Sequence, residues 1–206
     1  MLQIWGRPNS INVQKVLWTL AELGLEAEHH VVGGPHGGLD TDRYGALNPN
    51  RRIPALVDGD TVVWESNAIV RYLAAKYGDG TLWASDPAAR SQADRWMDWQ
   101  ASGVTMDLIP VFLGLIRTPA AERDMAAIGA AGDRLNGHMT VLAGQLQQTA
   151  YVAGDTFTMG DIPVGALAYR WLNLPMDRPD LPAVQAYHDR LAQRPAFREH
   201  VMQPLT

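Results

Sequence analysis

Apolar and polar positions alternate in ways that divide the chain into two halves of different character. Leu2, Ile4 and Trp5 form a short strand-like run, which Gly6, Pro8 and Asn9 break with loop chemistry. From Asn12 the period becomes helical, with Val13, Val16, Leu17, Leu20 and Leu23 on one face and Gly24 as the stop. Residues 27–32 read as a second strand and 33–38 as a glycine-rich loop. A short helix is predicted at 44–47, ended by Asn48 and Pro49. Residues 55–58 and 61–64 read as a hairpin turned by Gly59 and Asp60. Glu65 and Ser66 then open a helix that carries Ile69, Tyr72, Leu73 and Tyr77 on one side and ends at Gly78. The order is β-α-β-α-β-β-α.

Beyond Pro87 no strand pattern appears. Residues 88–116 are predicted helical, with bends at Gly103, Pro110 and Gly114. Further helices are predicted at 120–149, 159–172, 182–194 and 196–202. The expected organisation is an α/β domain over 1–79, a linker over 80–86 and an all-α domain over 87–206.

Composition narrows the chemistry. A hydrophobic share of 47% across 206 residues is ample for buried cores. The formal charge of −5 argues against nucleic acid or an anionic membrane as the main partner. The absence of cysteine excludes disulfides, thiolate metal sites and a cysteine nucleophile, so any thiol chemistry must use a thiol carried by a ligand. The first residues lack the charged start and apolar stretch of a signal peptide. The longest apolar runs, such as 111–116, are too short to cross a membrane, so the expected location is cytoplasmic. His29 and His30 have strand spacing that sends them to opposite faces, which argues against a metal site.

Three segments carry candidate chemistry. Ser10 and Asn12 stand at the start of the first helix, where free amides favour negative charge and a nearby hydroxyl can donate to a thiolate; the plain alternative is that Ser10 or Asn12 caps the helix. Arg52, Ile53 and Pro54 begin a strand. A cis bond before Pro54 would turn the Ile53 peptide outward to pair with an extended peptide, while Arg52 reaches a carboxylate. The alternative there is an edge strand with solvated arginines. Glu65 and Ser66 open the third helix, where hydroxyl and amides suit an anion and Glu65 suits an ammonium group; capping again is the alternative. A tripeptide thiol satisfies all three segments together. Trp96, Met97, Trp99, Met106 and Phe112 are candidates for an apolar substrate pocket, with core packing as the rival.

These residues resemble the cytosolic glutathione transferases over nearly the whole chain. Asn48-Pro49, Ile53-Pro54-Ala55-Leu56, Glu65-Ser66-Asn67-Ala68-Ile69 and Tyr72-Leu73 are similar to that family's N-domain signature. Residues 6–12 resemble the serine-type start of its phi and theta classes and the Ser/Thr-x-Asn pattern of nu-like bacterial members. The Thr158-x-x-Asp161 capping box resembles the motif that precedes helix 6 of these enzymes. The resemblance implies a thioredoxin-like α/β domain followed by an all-α domain. It makes Ser10 the thiol-activating residue, with Asn12 beside the thiol. Ile53 would pair with the cysteinyl backbone, and Glu65 and Ser66 would hold the γ-glutamyl end. Arg52, replacing the usual Gln or Lys, and His36 would lie near the glycyl carboxylate.

It further implies glutathione as co-substrate with no other cofactor, no metal, a small hydrophobic electrophile, and a homodimer. The expected activity is transfer of the glutathione thiolate to that electrophile. The alternatives are a nu-like glutathione-dependent disulfide reductase or peroxidase, and a non-catalytic ligand-binding member of the fold.

Overall fold

The computed structural model describes residues 1–206 and divides them into two compact units, Met1–Ser85 with Pro195–Gln203 and Asp86–Arg194 with Pro204–Thr206. The first unit contains β1 (Leu2–Trp5), α1 (Ile11–Glu22), β2 (Ala27–His30), α2 (Asp42–Leu47), β3 (Ala55–Asp58), β4 (Thr61–Trp64) and α3 (Ser66–Tyr77), the predicted order. The sheet order is β2-β1-β3-β4. β1 is parallel to β2 and antiparallel to β3, and β3 is antiparallel to β4. Leu2 and Ile4 join Val16, Leu20, Leu56, Ile69 and Leu73 in one core. Trp5 turns to the opposite face with Tyr44 and Ala55, as strand alternation requires. α2 starts two positions before its predicted 44 because Thr41 caps it, its hydroxyl accepting the Tyr44 amide at 3.2 Å.

The second unit contains α4 (Pro87–Trp99), α5 (Thr105–Phe112), α6 (Met125–Leu146), α7 (Asp161–Asn173) and α8 (Pro182–Leu191). The bends predicted at Gly103 and Gly114 fall in two π-helical turns, Gln100–Val104 and Leu113–Arg117, on either side of α5, whereas Pro110 lies inside α5 itself. Gly114 permits close packing there, since a Cβ at that position would come within 2.5 Å of Ile128 Cδ1. The continuous run Pro87–Arg117 is long and apolar enough to cross a membrane by length and composition, with mean hydropathy 1.3 in its best window. This departs from the expectation drawn from uninterrupted apolar runs, because helix joins apolar stretches that polar residues separate in sequence. In the structure α5 packs on α6, and Leu108, Val111 and Phe112 are buried.

The expected second domain reached residue 206. Instead, residues 195–203 fold with the first unit. The helix α9 (Pro195–His200) packs on α1; Phe197 is fully buried, with its ring 4.8 Å from that of Trp18. Burying a phenylalanine contributes about 1.5–3 kcal/mol. Six helical residues have a period but carry no sign of which core they join.

Candidate functional site

The loop from β1 to α1 is shaped by a glycine. Gly6 has φ +150°, and a Cβ there would lie 2.5 Å from Val13 Cγ2 and 3.2 Å from Ile53 Cβ. Only glycine lets Ile53 approach the segment that leads to Ser10. Ser10 is the N-cap of α1 by backbone geometry, and its carbonyl accepts from Val13 and Gln14 at 3.0 and 2.8 Å. Its hydroxyl makes no capping hydrogen bond. The capping alternative for Ser10 therefore fails, and a half-buried hydroxyl sits beside the free amides of the first turn.

Asn12 is joined to the start of α3. Ser66 donates its hydroxyl hydrogen to Asn12 Oδ1 at 3.2 Å. That bond fixes the Asn12 amide plane and leaves its Nδ2 hydrogens unused. Ser66 is buried and occupies the first helical position of α3, so it too is not a cap. Glu65 holds the N-cap position with φ +70° and no capping bond. A non-glycine residue held there costs about 1–3 kcal/mol, a strain that concentrates at functional sites.

Lys15 completes this corner. It is 2% exposed, and its ammonium lies 3.5 Å from Ser66 Oγ and 3.4 Å from Asn67 Oδ1. A buried positive charge beside the start of α3 reinforces the helix field toward an anion. In the sequence Lys15 is marked only as one of a polar pair, with Gln14, between Val13 and Val16.

The third part is the approach to β3. The Ile53-Pro54 bond is cis. The Ile53 N–H and C=O make no backbone hydrogen bond, so this half-buried peptide group remains open to an extended partner. Just before it, the Arg52 carbonyl accepts from Tyr44 Oη at 2.8 Å and Asn48 Nδ2 at 2.7 Å. Burial pushes the Tyr44 phenol up to about 12, so this tyrosine stays protonated as a donor. The two arginines part company here. Arg51 donates to the Leu39 and Thr41 carbonyls at 2.9 and 3.0 Å and braces α2, whereas the exposed Arg52 guanidinium has no protein partner. The sequence marks Asn48 in the Asn48-Pro49 motif and Tyr44 in the short helix, but neither bond to the Arg52 carbonyl is visible there.

His36 lies exposed in the 3₁₀ turn Gly34–His36. Arg7 links this loop to the β1–α1 loop. It donates to Asn9 Oδ1 at 2.7 Å, and a Cβ on Gly34 would be 3.1 Å from its Nε. Ser10, Asn12, Ile53 and Ser66 are thus tied to one region of the first unit by contacts through Gly6 and the Asn12–Ser66 bond. His36 reaches it only through its loop.

The aromatic candidates in the second unit divide. Trp96, Met97 and Phe112 are core residues, with at most 8% exposure. Met106 alone is well exposed, at 71%, and shares a helical stripe with exposed Ile109 and Leu113.

Residues 9–76 match the family described as Glutathione S-transferase, N-terminal domain. Over the full length of both chains the protein is 40% identical to Glutathione S-transferase GstB of Escherichia coli (strain K12). The chain belongs to the glutathione S-transferase family. It is a transferase. Among plant relatives, Glutathione S-transferase 3 of Zea mays is 33% identical, across 97% of this chain and 93% of its own. Among solved structures, the theta class glutathione S-transferase from Xanthomonas axonopodis pv. citri with glutathione bound superposes with a TM-score of 0.96 at 47% identity, covering 100% of this chain and 99% of that one.

Proposed function

We propose that this glutathione transferase binds glutathione in an extended form across the first unit and holds its sulfur as a thiolate at the start of α1. The cysteinyl backbone pairs with the open Ile53 peptide. The γ-glutamyl carboxylate meets Ser66, the first amides of α3 and the buried Lys15 ammonium, while Glu65 takes the γ-glutamyl amine. Arg52 receives the glycyl carboxylate, with His36 nearby. Ser10 donates to sulfur, and the unused Asn12 Nδ2 adds a second donor. A free thiol has a pKa of about 8.5, and each unit of lowering corresponds to about 1.4 kcal/mol of anion stabilisation. The thiolate attacks a small hydrophobic electrophile, forms the C–S bond and expels the leaving group. The helical unit offers an exposed apolar stripe, Met106, Ile109 and Leu113, suited to a hydrophobic ligand. A cytoplasmic homodimer belongs to the same reading; exposed Val62, Trp64 and Tyr77 offer apolar surface for the dimer contact.

The observation that carries this proposal is the Ser10 hydroxyl, set at a helix start yet unused in capping. The test is to follow the ultraviolet absorbance of enzyme-bound thiolate as pH varies. Bound glutathione should titrate at least one unit below its free value, and Ser10→Ala should return most of that shift. A titration unchanged in both Ser10→Ala and Asn12→Ala would reject the assignment.

The available Asn12 amide also supports a second reading, glutathione-dependent reduction of disulfides or hydroperoxides at the same thiolate. Rates with a small disulfide and with cumene hydroperoxide, set beside those with a chlorodinitro aromatic, separate the two.

A further inference from the structure

The helical unit has a cavity of its own, about 740 Å³, between the end of α5, the first turns of α6 and the chain that leaves α7. Its lining residues lie within 111–178 and include none of the glutathione constellation. The volume is in the range of small-molecule sites. Its floor is apolar: Val111, Leu115, Ile128 and Leu174 are each at most 8% exposed. Met125 and Met176 border it, and flexible thioethers adapt to apolar guests of varied shape. Two glycines of α6 open it. A Cβ on Gly132 would meet Met176 Cε at 3.3 Å, while a Cβ on Gly129 would meet nothing within 4 Å.

Three exposed charged residues stand at its rim: Asp133, Asp177 and Arg178. The arginine keeps its charge but is held on the protein. It donates to the Leu174 carbonyl, and its guanidinium lies 5.6 Å from the Trp171 ring. The carboxylates are not. Asn136 holds the Asp177 main chain by donating to its carbonyl at 3.1 Å, yet the carboxyl groups of Asp177 and Asp133 have neither hydrogen bond nor ion pair. An apolar floor beside two uncommitted negative charges discriminates among guests. The two carboxylates outnumber the one guanidinium, so an anion meets net repulsion, and a neutral hydrophobe gains only from the apolar floor. A cation on an apolar body satisfies both surfaces. We infer that this cavity is a second ligand site, separate from glutathione, that takes lipophilic organic cations.

Tetraphenylphosphonium tests the inference, because tetraphenylborate has nearly the same shape and the opposite charge. Calorimetric titration of the full-length protein should show the cation binding at least about tenfold more tightly than the anion, a gap of about 1.4 kcal/mol. Asp133→Asn with Asp177→Asn should remove that preference. Gly129→Leu should remove binding of the cation, since its side chain would enter the open space at a helical position that accepts any residue. Saturating glutathione should leave the cation's affinity unchanged. Equal affinity for the two probes, no binding, undiminished binding in Gly129→Leu, or competition with glutathione would each overturn it. Because the asparagine pair and Gly129→Leu alter charge and space separately, a folding defect in one leaves the other as a test.

Discussion

α1 and α7 both begin beside a hydroxyl residue, Ser10 in one and Thr158 in the other, but the two helix starts spend their polar groups in opposite ways. At α7 everything is consumed internally. The fully buried Asp161 carboxylate accepts from the Val152 amide at 3.0 Å, the Thr158 amide at 2.8 Å, the Thr158 hydroxyl at 3.3 Å and Tyr187 Oη at 3.0 Å. Thr158 Oγ1 accepts from the Gly160 amide at 3.3 Å. At α1 the Ser10 hydroxyl is unspent, and Asn12 is oriented by Ser66 with its donors left over. A helix start that closes its own hydrogen bonds is structural; one that keeps donors in hand near the surface is available to a ligand. The shared motif chemistry does not distinguish them, but the destination of each hydrogen does.

The largest expected break in this comparison is Asp161→Ala. It strands the buried Val152 amide and Tyr187 hydroxyl along with the Thr158 amide, which should cost about 3–5 kcal/mol of stability. Thermal melting should show the loss, and Asp161→Asn, which keeps one acceptor, should cost less. Next comes Ser10→Ala. A charge-assisted hydrogen bond contributes about 1.5–3 kcal/mol, so kcat/KM should fall about ten- to a hundredfold. Its melting temperature should hold, because no capping bond is lost; a drop matching the usual cap cost of about 1 kcal/mol would mean that Ser10 is a structural cap after all.

The fold of the first unit was legible in the sequence, whereas the contrast between the two helix starts was not, and the reasons are physical. The strands and helices of the first unit followed from period and turn residues, since each has a clear stop such as Gly24, Gly59 or Gly78. The predicted helix start at 159 places Pro163 beyond its first turn, where its missing amide would be needed. With α7 beginning at Asp161, Pro163 lies in the first turn, where its missing N–H is one that the helix does not bond. Ser10, Asn12, Ile53, Glu65 and Ser66 could be named because their residue types match the chemistry of a peptide thiol. Lys15 and Tyr44 could not. Their parts depend on Ser66 and Arg52, which are distant in sequence, and a single chain reports no such pairing. The allegiance of α9 to the first unit was hidden for the same reason, as it rests on Trp18 and Phe197 meeting across the fold.

A smaller effect separates strain from function at the start of α3. Glu65→Gly releases the φ of +70° and should raise stability by about 1 kcal/mol. The same change removes the carboxylate assigned to the γ-glutamyl amine, so KM for glutathione should rise. Gain in one and loss in the other would mark strain kept for binding. A fall in melting temperature would show instead that Glu65 supports the fold.

The smallest effect sets Asp161 against another carboxylate, Asp58. Lys76 Nζ at 2.7 Å, Tyr77 Oη at 2.6 Å and Tyr72 Oη at 2.9 Å all donate to Asp58 Oδ2, and the Lys76 and Tyr77 bonds hold its carboxyl down to about 2. Burial pushes Asp161 the other way, up to about 6. The signs follow by linkage. Asp58 has a folded pKa below its unfolded value of about 3.9, so its stabilisation is present above that pH and fades as pH falls toward 2. Asp161 has a folded pKa above the unfolded one, so its contribution is complete below about 3.9 and is lost as pH rises through 6. Melting temperature against pH should therefore lose its slope between about pH 4 and 6 in Asp161→Asn and only its acid limb in Asp58→Asn. Added salt should weaken the Asp58 effect and leave that of Asp161 in place, because ions screen a surface cluster but do not reach a sealed carboxylate. Equal salt sensitivity at both positions would mean that the start of α7 is open to water, and the contrast with α1 would then lose its physical basis.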